Sequence, residues 1–437
     1  DLREEHSDGS SAGIDSNCQR TIDDDDVPRG SDGTGDLRIR EGHRLASDPI
    51  PADVHRDALV DRVQELGLLP CSSRWSGVYS YGLLPDGSGY GEVRPFGVGD
   101  SMPVLNVALV GSEDLARKLG KKGDTRDIES YVHKESRGGE VRVISLLRPL
   151  KFPESIRPML SVLDVAKAGL LEIRELSPSI GEAMVALAVS GISRGSAIIS
   201  PEEGGWIDSD QVRMMLDQAG LGDWGIVEGG VDEHDIRDSL FEIQDELSST
   251  IEVSKSASLI LPVDQHFNVK GVGLVAIGYV QSGSVSKHDE VEVMPAADIG
   301  VVRSLQVMDD DVEIAITGDR VGVALRNLRE QSLHRGCMIC IPGEGALEGH
   351  KISEFNLLKA PFQSRTLAVG EVIHAASDLQ FSVGRVSHID GGAVTVEWDS
   401  PFWIRNDGSS RVMIVHLDAM PMRIMGVAEE IKPVGLL

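Results

Sequence analysis

Between residues 259 and 341 the apolar positions fall in short runs broken by polar turns. They predict strands over 259–263, 274–280, 290–294, 301–307, 321–325 and 338–341. Gln281-Ser282-Gly283, Ser286-Lys287-His288-Asp289 and Thr317-Gly318-Asp319 supply the turn signals between them. Short strands at this spacing, with no helical period between them, imply a small closed barrel. Gly271, Gly273 and Gly278 lie beside or within these strands, where glycine marks a bend, a bulge or close backbone approach.

Upstream, the period changes. Apolar strands are expected over 105–110, 141–147, 169–173 and 196–200. Helical patterns lie between and after them over 153–165, 181–190, 210–219 and 232–247. The first helix places Ile156, Met159, Leu160 and Leu163 on one face. Ser179 and Glu182 have the spacing of a capping box at the start of the second. Strand and helix in alternation predict a parallel sheet covered by helices.

Residues 248–258 are serine-rich and read as a joint to the barrel. After 341–345 a third unit begins, with strands expected over 351–357, 367–374, 380–387, 393–398 and 411–417. Gly391-Gly392 is its hairpin signal. The fold class is therefore multidomain, α/β plus β. A sheet domain over 102–250 precedes a barrel over 251–345 and a third, strand-built unit over 346–437.

Residues 1–101 contain ten arginines and no lysine, whereas later in the chain lysine supplies twelve of thirty-two basic residues. They include Asp23-Asp24-Asp25-Asp26 and show no sustained period. Two readings stand: a disordered acidic extension, or a translated upstream region with the true start at Met102.

Composition then narrows the chemistry. A formal charge of −28 and a pI near 4.8 disfavour a broad basic face for duplex nucleic acid, although a local patch can still bind RNA. No apolar run has the length of a membrane span. Four cysteines argue for a reducing, cytoplasmic setting. Cys337 and Cys340, three apart on a strand, would point to opposite faces, so buried thiols are expected and no metal site.

The barrel stretch carries Val263-Asp264, Phe267-Asn268-Val269-Lys270-Gly271-Val272-Gly273, Ser282-Gly283-Ser284-Val285, Ser304-Leu305-Gln306 and Gly318-Asp319-Arg320-Val321-Gly322. In that order these motifs resemble the second domain of translational GTPases of the elongation factor Tu class. The resemblance is greatest to archaeal and eukaryotic selenocysteine-specific elongation factors. It implies a P-loop-type sheet domain followed by two barrels.

Such a domain needs G-x-x-x-x-G-K-[ST] after its first strand. There the loop amides cradle phosphates, the lysine neutralises them and the hydroxyl holds magnesium. The chain instead reads Gly111-Ser112-Glu113-Asp114-Leu115-Ala116-Arg117-Lys118. Ala116 stands for the second glycine, Arg117 for the lysine and Lys118 for the hydroxyl residue, so only Gly111 and Asp114 match.

The magnesium-proximal D-x-x-G is absent from 146–153, and the guanine-reading N-K-x-D is absent after Ser200, where Pro201-Glu202-Glu203-Gly204 follows. The expectation is a pseudo-GTPase with no cofactor and no catalytic or metal residue. Weak anion contact by Arg117 at a helix N-terminus is the alternative.

The resemblance further implies a second-domain pocket for the amino acid and terminal adenosine of a charged tRNA. It places Asp264 and Arg320 at the family's aspartate and arginine. Gln265 stands where the family has histidine, with His266 next, while Phe267 and Gln306 line or flank the adenosine pocket. An Asp264–Arg320 pair that merely ties two loops is the structural alternative.

The long fourth domain of the selenocysteine family has no counterpart after Met425-Gly426-Val427-Ala428 and a short tail, so a binding or regulatory role is expected. The partners expected are RNA or tRNA, the ribosome or another translation component, with no membrane. An active GTPase delivering aminoacyl-tRNA and a protein-interaction scaffold are the competing readings.

Overall fold

The computed structural model describes residues 104–137, 140–230 and 232–434, together with an isolated pairing of Gly82–Leu83 with Tyr90–Gly91. The two readings of residues 1–101, and the start at Met102, otherwise lie outside the described residues.

The first layer is a seven-stranded sheet. In chain order it comprises β1 (Val104–Val110), α1 (Glu113–Leu119), β2 (Lys121–Thr125), β3 (Ile128–Arg137), β4 (Glu140–Pro149), α2 (Arg157–Val165), β5 (Ala168–Ile173), α3 (Pro178–Val189), β6 (Gly195–Ile199), α4 (Ser209–Ala219), β7 (Gly225–Val227) and α5 (Glu233–Lys255). The strand order is β2-β3-β4-β1-β5-β6-β7. From β4 to β7 the neighbours are parallel, and β2 and β3 extend the sheet as antiparallel strands. Every residue of β1 and of β5 is buried, as expected of central parallel strands covered on both faces.

The first barrel contains β8 (Leu261–Val269), β9 (Gly273–Tyr279), β10 (Ser284–Ser286), β11 (Glu290–Met294), β12 (Asp298–Val307), β13 (Asp310–Val312), β14 (Ile314–Ile316), β15 (Arg320–Arg326) and β16 (Met338–Cys340). Six of these strands close into a ring, β11-β16-β8-β9-β15-β12, completed by the β11–β12 pairing. Gly278 is required by close approach, since a Cβ there would lie 2.4 Å from the Pro262 carbonyl oxygen. Cys337 and Cys340 are both buried and free. Burial pushes their thiols up to about 11 and about 12.

The second barrel is also closed: β17 (Leu347–Lys359), β18 (Val372–Ser377), β19 (Gln380–Asp390), β20 (Ala393–Arg405), β21 (Val412–Val415) and β22 (Ile424–Pro433). β22, whose second half lies in the stretch read from sequence as a short tail after Ala428, pairs with both β17 and β21 and shuts the ring.

The serine-rich joint is helical, because α5 continues to Lys255. Ser248 Oγ donates to the Asp245 carbonyl at 2.7 Å and Ser254 Oγ to that of Thr250 at 3.0 Å, so these hydroxyls bond back onto the helix rather than break it.

The sheet layer and the second barrel share one hydrophobic core. Met159 and Leu163 of α2 and Met184 and Leu187 of α3 belong to the same buried cluster as Leu379, Met413, Val415 and Ile424. Tyr279 of the first barrel joins it. The capping box at Ser179 does not form. Ser177 occupies the cap position without a side-chain bond to the helix backbone, its hydroxyl lying 2.9 Å from that of Ser179, and Glu182 is turned inward instead. Its carboxylate accepts the Arg423 backbone amide at 2.7 Å and the Arg423 guanidinium at 2.5 to 3.2 Å.

Candidate functional site

Only Gly111 and Ser112 separate β1 from α1, which is too short a link for a phosphate cradle. Ser112 caps α1 through its side chain, which accepts from Leu115 N at 3.1 Å. Its own backbone amide donates to Glu172 Oε2 at 2.6 Å. Glu172 is a buried residue of β5. A protein carboxylate thus takes an amide at the position where the resemblance calls for a bound phosphate.

This contact also explains the glycine. A Cβ on residue 111 would lie 2.9 Å from Glu172 Cβ and 3.0 Å from its Oε2.

The other loop residues disperse. Ala116 is fully buried in the core beneath the sheet, which suits a methyl group. Asp114 and Lys118 are exposed. Arg117 turns back along α1 and binds Glu113 at 2.5 Å. Lys122 bridges Glu113 at 2.9 Å and Glu129 at 2.6 Å, while Arg148 holds Glu129 at 2.6 Å and the Gly111 carbonyl at 2.8 Å. Lys122 first, and then Arg117, hold the Glu113 carboxyl down to about 2. Burial acts upward on Glu129, but Lys122 and Arg148 outweigh it and leave the group below its ordinary value.

Arg117, Lys122 and Arg148 are therefore matched by carboxylates already present.

A cleft of about 620 Å³ opens beyond the ends of β5 and β6, lined by Arg174, Glu202, Trp206 and Asp208 among others. Arg174 reaches Glu202 at 3.3 Å, and Asp208 accepts from Asp210 N at 3.0 Å as the cap of α4. The one aspartate there caps a helix.

On the first barrel, Gln265, Ile277, Gly322 and Gln306 form one row across four neighbouring strands. Directly paired residues share a face. Gln265, Phe267 and Gln306 therefore project outward, whereas His266, opposite the core residue Ala276, faces inward. Three inter-strand steps separate Gln265 from Gln306, about 14 Å. Gln306 donates to Asp311 at 3.0 Å, and Phe267 is exposed. A register shift between Val263 and Gln265 makes Asp264 the bulged residue and re-aims it.

Asp264, Gln265 and Arg320 do come together, but around residues of the sheet layer. Gln265 Nε2 donates to Asp124 Oδ2 at 2.7 Å and to Asp264 Oδ2 at 3.1 Å. Arg320 Nη2 binds Asp124 Oδ2 at 3.2 Å and its guanidinium lies 5.9 Å from the Tyr279 ring centre. Arg335 binds Asp127 and lies 3.4 Å from Asp264 Oδ1. Arg320 is paired with Asp124 and Asp264 with Arg335, an exchange of partners relative to the Asp264–Arg320 pair considered from sequence.

Burial acts upward on the Asp124 carboxyl, yet the Gln265 amide and the Arg320 charge leave it below its ordinary value. Burial pushes the Tyr279 hydroxyl up to about 12.

Asp124 and Asp127 were not singled out by sequence, and Arg335, which opens the run Arg335-Gly336-Cys337, was not assigned to the site. No short motif holds the two aspartates, and Asp124 and Arg320 stand 196 positions apart. Glu172 carried no local signal either. Among the described residues no His, Cys, Asp and Glu grouping could hold a metal ion, and no helix is long and apolar enough to cross a membrane.

Residues 273–340 match the family model of elongation factor Tu domain 2. An uncharacterized protein of Methanocaldococcus jannaschii is 31% identical over 271 residues, covering 62% of this chain and 82% of that protein. The selenocysteine-specific elongation factor of the same organism is 29% identical over 192 residues, covering 40% of this chain and 41% of that factor.

Among solved structures, translation elongation factor SelB from Methanococcus maripaludis, in complex with the GTP analogue GppNHp, superposes with a TM-score of 0.61 at 20% identity. That match covers 77% of this chain and 81% of that one. A bacterial selenocysteine-specific elongation factor gives a TM-score of 0.58 at 18% identity, over 76% of this chain and 58% of that one.

Proposed function

The chain belongs to the SelB-like branch of the translational GTPase family, and from that membership we propose that it is a translation-associated pseudo-GTPase. On this reading it binds RNA, a charged tRNA end or another translation component without hydrolysing GTP.

One observation carries the first half of the proposal. The β1–α1 link is reduced to Gly111 and Ser112, and the Glu172 carboxylate already occupies the Ser112 amide at 2.6 Å. A nucleotide phosphate brought there would meet a fixed negative charge, with neither a loop lysine nor a hydroxyl ligand to offset it.

The second half is supported by the first barrel, where Asp264, Gln265 and Arg320, three of the residues that the resemblance gives to an aminoacyl pocket, meet around Asp124, while Phe267 and Gln306 lie apart from them on the same outer face. His266, paired with Ala276, faces the barrel interior and not its outer face.

Calorimetric titration with GTP and GDP, each with and without magnesium, tests the first half. No saturation at micromolar nucleotide is expected, whereas magnesium-dependent saturation would restore the active elongation-factor reading. Crosslinking in cells tests the second half: Arg320→Ala is expected to reduce RNA recovery, and unchanged recovery would leave the barrels as a protein scaffold.

A further inference from the structure

The cations on the outer face of the first barrel are engaged from within the molecule. Asp124 and Asp127 flank the turn between β2 and β3, and each reaches across to one arginine, Asp124 to Arg320 and Asp127 to Arg335. The arginines are not saturated by this. Arg320 Nε and Arg335 Nε are shut away from solvent with no aligned acceptor, and Arg335 Nη2 has only a 3.4 Å approach to Asp264 Oδ1, without hydrogen-bond alignment. A guanidinium presents five donors in a fixed fork that suits a two-oxygen anion, and single carboxylate oxygens from the turn use few of them.

The charges near the site, Asp124, Asp127 and Asp264 against Arg126, Arg320 and Arg335, sum to about 0 with the turn docked and about +1 once the turn and its three charges are withdrawn.

We propose that the turn from Asp124 to Asp127 is a tethered stand-in for an anionic ligand. A carboxylate or phosphate presented from outside binds Arg320 and Arg335 by displacing it. This rests on the ligand-site reading of the barrel face given above, and adds to it a gate and a second arginine.

The turn is built to leave. It caps a hairpin at the edge of the sheet, β2 is largely exposed, and its pairing with β3 is interrupted between Lys122 and Thr125. Withdrawing it breaks the bond from Leu150 N to the Asp127 carbonyl at 2.8 Å and that from Gln265 to Asp124 at 2.7 Å but takes no residue from the buried clusters, so opening belongs to the local motions of the fold.

The test is chemical rescue on the intact chain, using Asp124→Asn/Asp127→Asn and, as probes, inorganic phosphate and acetate at ionic strength matched with chloride. Deleting both carboxylates leaves Arg320 without its ion pair and Arg335 with Asp264 alone, so the variant is expected to melt about 2 °C or more below the parent in chloride. Phosphate or acetate should recover that loss. The parent should show only the general salt effect common to both proteins. Arg335→Met in the variant background should abolish the recovery. Rescue by one anion alone identifies whether phosphate or carboxylate is the preferred chemistry.

A variant indifferent to both anions, or a parent that gains as much as the variant, overturns the proposal. Should the double variant not fold, hydrogen exchange of the parent decides. Phosphate is expected to speed exchange over residues 121–130 and leave 104–110 unchanged, and no change there overturns the gate. If anion rescue holds while RNA recovery is insensitive to Arg320→Ala, the gate stands and the RNA-binding function falls. RNA recovery that depends on Arg320, with no anion rescue, gives the converse.

Discussion

Asp319 is 1% exposed, and its carboxylate accepts the Ile316 amide at 2.8 Å within the turn that delivers Arg320 to the site. Burial pushes its acid up to about 7. A carboxyl raised in the folded state favours folding when protonated. Its contribution is therefore complete below the unfolded value near 4 and is lost as pH rises through about 7. The linked free energy is at most about 4 kcal/mol. Asp319→Asn keeps an oxygen acceptor but cannot ionise. Denaturant melts of both proteins from pH 4 to pH 8 should show the parent losing stability relative to the variant across that window, and parallel curves would contradict the assignment. At this scale Asp264, Gln265 and Arg320 were legible because a linear motif carries them. Asp124, Asp127 and Glu172 were not, because a partner distant in sequence leaves no mark in its local neighbourhood.

The link from β1 to α1 shows what an element boundary conveys. Position 111 needs glycine in either reading, for phosphate approach in one and for the Glu172 side chain in the other, so the residue alone could not decide between them. Gly111→Ala would press a Cβ onto Glu172 Cβ, a backbone-fixed atom, and is expected to cost about 1–3 kcal/mol by urea denaturation. A neutral result would mean that Glu172 is free to move and does not wedge the link.

Elements with strong periods, the central parallel strands and the main helices, could be read from the chain. β2 could not, since it is short, polar and mostly exposed on the sheet edge. β22 was missed because Ile424–Pro433 shifts from buried apolar to exposed charged residues along its length and so resembles a tail. The serine-rich end of α5 misled for the opposite reason: serine favours breaks by composition, yet its hydroxyls can satisfy the helix they sit on.

Across the whole molecule, the sheet layer and the second barrel are joined by burial and by charge together. Glu182 and Arg423 both have side chains at most 6% exposed, and the pair connects α3 to β22 through the common core. Removing one partner strands the other, so Glu182→Ala is expected to destabilise the protein by about 3–5 kcal/mol in a denaturant melt. A Glu182→Met/Arg423→Met double variant should recover most of that loss, because two buried charges leave together. Failure of the double variant to recover would assign the cost to packing instead.

The Glu172 contact has a consequence for fidelity. If it excludes the nucleotide, no irreversible chemical step separates acceptance of a partner from its rejection, and a wrong partner cannot be screened twice. Discrimination is then bounded by the difference between two equilibrium affinities, which for one small apolar group is about 1–3 kcal/mol. Selectivity beyond that bound would have to come from polar groups that the wrong partner leaves unpaired, and the buried guanidinium donors of Arg320 and Arg335 are groups of that kind.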